Sequence, residues 1–184
     1  MNQDRETAQD RPAAFLDRDG TLMEDSGLLN DPRRIRVLDG VAVALRTLES
    51  AGFERIVVTN QAGPAPGELG VPDVEFVHLT LAKLLAGEGA SVDAFYYCRH
   101  RGGCDCRKPL PGLVRRAVAE RRIDLERSVV FGDGETDMHL AERVGVPGIL
   151  VNARLYTGPE PLYRARTLLE GVMFFLEYVA KKTA

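Results

Sequence analysis

Short apolar runs alternating with segments of helical periodicity restrict this chain to a narrow set of folds. Residues 13–16, 55–59, 92–97, 128–132 and 148–151 read as buried strands. After Asp39-Gly40, the apolar residues Val41, Leu45 and Leu48 recur at helical spacing, and Ala51-Gly52 stops the pattern. Further helices are predicted over 73–86, with Val77, Leu81, Leu84 and Leu85 inward, over 112–122 and over 135–144. A terminal amphipathic helix is predicted over 168–180, with Met173, Phe174 and Phe175 facing the core. Such alternation predicts an α/β fold, a doubly wound parallel sheet with helices on both faces. Residues 1–12 are expected to form a flexible N-terminal tail, with 13–184 a single domain.

In sheets of this kind, ligands bind beyond the carboxyl ends of the strands. Those ends carry polar groups: Asp17 and Asp19 after the first strand, Thr59 at the end of the second, Lys108 after the third, and Asp133 after the fourth. Asp17 and Asp19 are close enough to repel unless a cation or a proton lies between them. Gly20 lets the backbone turn tightly beside them. Together these residues supply a nucleophile, a general acid, two groups for phosphate oxygens and a hard-metal ligand.

Net charge is −3, which gives no support for a nucleic-acid or anionic-membrane partner. No apolar run approaches the roughly 18 residues that span a bilayer. The three cysteines all fall between positions 98 and 106, too few and too close for a disulfide framework. Cys98, His100, Cys104 and Cys106 instead offer a closed, structural Zn²⁺ set that would stiffen the loop leading to Arg107 and Lys108. Reduced thiols point to the cytoplasm. His78 and His139 are expected to be surface or packing residues.

In Asp17-Arg18-Asp19-Gly20-Thr21, Thr59-Asn60-Gln61, Lys108-Pro109 and Gly132-Asp133 with Asp137, the sequence resembles the haloacid dehalogenase superfamily. The resemblance runs from residue 13 to about 151. It implies a phosphatase in which Asp17 forms an aspartyl-phosphate, Asp19 is the general acid and base, and Thr59 and Lys108 hold phosphate oxygens. Catalytic Mg²⁺ would be held by the Asp17 carboxylate, the Asp19 main-chain carbonyl and the Asp133 carboxylate. Asp137 would orient Lys108 or a metal-bound water, and Asn60, Gln61 and Arg107 would meet the substrate.

The Cys-x-His…Cys-x-Cys-Arg-Lys-Pro segment is similar to a zinc-loop subgroup that contains D,D-heptose 1,7-bisphosphate phosphatases and histidinol-phosphate phosphatases. This implies a capless, monomeric enzyme acting on a small phosphorylated metabolite, with heptose 1,7-bisphosphate ahead of histidinol phosphate. A zinc-stabilised binding protein without turnover is the expectation from another class. Two departures bear on the substrate. Pro64-Ala65-Pro66-Gly67-Glu68 stands where the heptose enzymes carry an Arg, and Gly134 stands where the subgroup often has Lys or Arg.

Overall fold

The computed structural model describes residues 10–25, 32–62, 70–152 and 156–183. Residues 1–9 of the expected tail and the 64–68 segment therefore lie outside the described residues. Six strands form one sheet: β1 (Arg11–Leu16), β2 (Glu54–Asn60), β3 (Ala94–Cys98), β4 (Ile123–Gly132), β5 (Gly148–Val151) and β6 (Tyr163–Ala165), in the order β3-β2-β1-β4-β5-β6. Every neighbouring pair is parallel. Five α-helices connect and cover them: α1 (Val41–Ser50), α2 (Val71–Gly87), α3 (Gly112–Arg121), α4 (Glu135–Val144) and α5 (Leu168–Thr183).

Alternation along each strand divides the apolar side chains between two cores. Leu16, Val57, Phe131 and Ile149 face one way, toward Leu45 of α1, Leu81 of α2 and Phe175 of α5. Phe15, Ile56, Val130 and Leu150 face the other, toward Leu113 and Val114 of α3 and Met138 and Leu140 of α4. Both faces are covered, so the strands can be apolar throughout, as all-parallel sheets require.

The structure corrects several boundaries. β1 begins at Arg11, inside the expected tail, and β4 begins five residues earlier than expected, at Ile123. β6 was not expected. Leu84 is 41% exposed and Met173 48% exposed, so neither belongs to the core. Phe175 is buried, and Phe174 stacks on Tyr163 of β6 with ring centroids 3.9 Å apart. His78 is a packing residue, stacked on Phe95 at 4.5 Å. His139 is exposed beside Glu142.

The strand order places the site. From β1 the chain moves outward through β2 and β3, then returns to build β4, β5 and β6 on the other side. The order therefore reverses between β1 and β4, the position where open α/β sheets leave a crevice for ligands. Leu16 pairs with Phe131, so the residues that follow the two strands emerge side by side.

Candidate active site

Asp17 follows β1 directly, and its amide donates to the Phe131 carbonyl at 2.9 Å, which ties it to β4. Lys108 comes from the segment after β3, and its ammonium is buried between two carboxylates. It donates to Asp17 Oδ1 at 2.6 Å and to Asp137 Oδ1 at 2.7 Å. Asp137 lies in the first turn of α4, and its other oxygen accepts the Gly134 amide at 3.3 Å. One carboxylate thus both caps the helix and fixes the lysine.

Asp133, immediately after β4, completes the group: Asp17, Asp133 and Asp137 each place a carboxylate oxygen within 4.8 Å of the others. Three acids share one ammonium. Burial pushes Asp133 up to about 7, with the charges of Asp17 and Asp137 adding to it. Burial also raises Asp137, to about 6, against the pull of Lys108. Burial works against the charge on Lys108, but Asp137 and Asp17 more than offset it and the amine stays protonated. The surplus negative charge and all-oxygen donor set are what a hard divalent cation needs.

Gly20 closes the floor of the cluster. Its φ is +77°, and a Cβ there would lie 1.9 Å from Asp133 Oδ2. The position excludes any side chain on both backbone and steric grounds.

The carboxylate of Asp19 is held by Arg18 and Gln61. Arg18 donates to it from Nε at 3.1 Å and from Nη2 at 3.0 and 2.9 Å, and Gln61 Nε2 donates at 2.8 Å. Burial raises the Asp19 carboxyl above its usual range, opposed by the Arg18 charge and reinforced by Asp17. Gln61 also donates to Thr59 Oγ1 at 3.0 Å. Because Thr59 accepts there, its hydroxyl proton remains to donate elsewhere.

The three side chains expected to meet substrate all make contacts within the protein. The amide of Gln61 is committed to Arg18, Asp19 and Thr59. Asn60 forms a reciprocal pair with the Lys108 backbone, accepting its amide at 2.9 Å and donating to its carbonyl at 3.1 Å. Arg107 donates to the His100 carbonyl at 3.1 Å. Arg18 carries no expected role. The signal that marks it is a single cation between two acids just after a buried strand.

Cys98, His100, Cys104 and Cys106 also converge. The Sγ atoms of Cys98 and Cys104 are 3.6 Å apart, Cys106 and Cys98 3.1 Å, and His100 Nδ1 is 3.2 Å from Cys106 Sγ. Zn–S bonds of about 2.3 Å in a tetrahedron need ligand separations of about 3.5–3.8 Å, so small adjustments would accommodate the ion. Burial pushes the Cys106 thiol up to about 12, with hydrogen bonds to Cys98 and Cys104 adding to it, and burial also raises Cys98. Cys104, against its burial, is lowered to about 7 by its hydrogen bond with Cys106; a metal would be needed to ionise all three. The loop is tied to the site at both ends, by Gln61 N–H to the Cys98 carbonyl at 2.6 Å and by the Asn60–Lys108 pair.

Comparison with known proteins accords with this geometry. A HAD-hydrolase-like family model matches residues 105–162. The D-glycero-D-manno-heptose-1,7-bisphosphate 7-phosphatase of Thermosynechococcus vestitus is 35% identical over 194 aligned positions, covering 94% of this chain and 99% of the relative. The D-glycero-beta-D-manno-heptose-1,7-bisphosphate 7-phosphatase of Escherichia coli K12 is 37% identical over 148 positions, 76% of this chain and 78% of the relative. The solved D,D-heptose 1,7-bisphosphate phosphatase from B. bronchiseptica, complexed with magnesium and phosphate, superimposes with a TM-score of 0.79. It shares 29% identity, covering 91% of this chain and 99% of that one. With a site built from the ends of β1, β2 and β4 and relatives that span nearly its whole length, this chain belongs to the HAD-like hydrolases, in the group of heptose bisphosphate phosphatases.

Proposed function

We propose that the protein is a Mg²⁺-dependent phosphomonoesterase that removes the 7-phosphate of D-glycero-D-manno-heptose 1,7-bisphosphate through an aspartyl-phosphate. The observation that carries this reading is the buried Lys108 ammonium held between Asp17 and Asp137, with Asp133 alongside. The names of the T. vestitus and E. coli relatives support the substrate.

Asp17 is the nucleophile. Lys108 holds its Oδ1, which fixes the carboxylate and leaves Oδ2 for attack on phosphorus. As the new O–P bond forms, the bond from phosphorus to the sugar oxygen breaks, and Asp19 gives that oxygen its proton. Lys108 and the free Thr59 hydroxyl proton meet charge on the equatorial oxygens, where phosphoryl transfer needs it neutralised. Asp19 then takes a proton from water, the water attacks phosphorus, and inorganic phosphate leaves with Asp17 restored.

Mg²⁺, held by Asp17, Asp133 and the Asp19 main-chain carbonyl, would supply further neutralisation of phosphoryl charge when bound. Zn²⁺ in the Cys98/His100/Cys104/Cys106 set is structural, and its reduced thiols suit a cytoplasmic enzyme. Arg107 leads into Lys108 and has a planar fork suited to the second phosphate.

Initial rates of phosphate release from heptose 1,7-bisphosphate and from histidinol phosphate test this reading. The expected result is faster turnover of the bisphosphate, dependent on Mg²⁺. Preference for histidinol phosphate would reassign the substrate, and no release from either would remove the phosphatase reading.

A further inference from the structure

Within the phosphatase reading, on which this inference rests, the contacts around Asp19 raise a question of direction. A carboxylate offers roughly four lone-pair sites, and a general acid must keep one of them for the proton it transfers. Arg18 brings one hydrogen on Nε to Oδ1 and one on Nη2 that is shared between Oδ2 at 2.9 Å and Oδ1 at 3.0 Å, and spends the other Nη2 hydrogen on Gln61 Oε1 at 2.6 Å. Gln61 brings one Nε2 hydrogen to Asp19 Oδ2 and the other to Thr59. The amide has only one workable orientation here, since its oxygen faces a pure donor and its nitrogen faces a carboxylate. Among the described residues, three hydrogens therefore approach Asp19, and its fourth acceptor direction has no hydrogen of its own.

We propose that Arg18 and Gln61 are positioning residues that aim the single uncommitted lone pair of Asp19 at the leaving-group oxygen. Arg18 has no better explanation in the fold. It is 2% exposed, among the largest fully buried side chains, and among the described residues its Nη1 has no hydrogen-bond partner. A buried guanidinium with an unpaired nitrogen contributes little to stability compared with an apolar side chain of similar size. Gln61, at the end of the neighbouring strand, links the clamp to the Thr59 hydroxyl. Proton donor and phosphate ligand are thereby set by one amide.

The test separates positioning of the acid from general support of the site. The leaving group from heptose 1,7-bisphosphate is the C7 alkoxide of heptose 1-phosphate, which must be protonated, whereas that from 2,4-dinitrophenyl phosphate is a stable phenolate that needs no proton. In Arg18→Met, kcat/KM for the heptose substrate should fall on the order of 100-fold more than for the dinitrophenyl ester, the scale of general-acid catalysis. Arg18→Lys, which keeps the buried charge and loses the fork, should show the same selective loss and serves if the Met variant does not fold. Equal losses on both substrates, or no loss on either, would overturn the inference while leaving the phosphatase reading intact. A wild-type enzyme inactive on both esters would remove that reading, and this inference with it.

Discussion

Asp17 carries the account at the scale of single residues. Asp17→Asn keeps the shape and the Lys108 contact but removes the nucleophile, so kcat is expected to fall at least about 1,000-fold with little change in Tm. Gly20→Ala acts at one remove. A methyl group 1.9 Å from Asp133 Oδ2 must push that carboxylate aside, and a misplacement of this size costs about 100-fold in activity. His78 gives a pH prediction. Burial, aided by the Arg18 charge, lowers its pKa from 6.5 to about 3. Below pH 6.5 the unfolded chain binds a proton at His78 that the folded chain refuses, so the His78 contribution to stability falls as pH drops from 6.5 toward 3. At pH 5 the loss is about 2 kcal/mol relative to pH 7.5, and His78→Gln should remove it; parallel denaturation curves for the two proteins would contradict this. Asp17 and Asp133 were legible in sequence because each closes an apolar run. The partners of Asn60 and Gln61 were not, because those hydrogen bonds join segments about 40 to 50 positions apart and depend on strand order.

At the scale of elements, apolar pattern was a good guide where burial is complete and a poor one elsewhere. β6 is three residues with an arginine in the middle, and nothing in Tyr163-Arg164-Ala165 signals a strand until Ile149 is there to pair with Tyr163. The first half of β4 is polar (Asp124, Glu126, Arg127), because it lies at an outer end of the sheet. In α2 the apolar residues run all round the helix, so periodicity alone could not tell buried Leu81 from exposed Leu84. The Cys/His segment was readable from composition and spacing, because four ligands in one short loop need no tertiary information. Removing zinc with a chelator, then restoring Mg²⁺, is expected to lower Tm by roughly 6–12 °C, corresponding to about 3 kcal/mol. Activity should fall with it, since the loop is anchored through Gln61 and Asn60 to the groups around the phosphate. An unchanged Tm after verified zinc loss would show that the loop is not a structural anchor.

At the scale of the whole molecule, function follows from the reversal of strand order between β1 and β4. That reversal sets the ends of two non-consecutive strands side by side, and the β2 and post-β3 segments reach the same crevice from one flank. The doubly wound fold could be inferred from alternation alone, whereas the position of the reversal could not. Among the described residues no helix is long and apolar enough to cross a membrane. The central claim is that the acids and the lysine gathered there act on one phosphoryl group through Asp17. Acid-quenching the enzyme during turnover of heptose 1,7-bisphosphate with Mg²⁺, followed by peptide mass spectrometry, tests it most directly. The account predicts a phosphoryl group on the peptide that holds Asp17, absent in Asp17→Asn; product formation with the label on another residue, or with no labelled peptide, would contradict it.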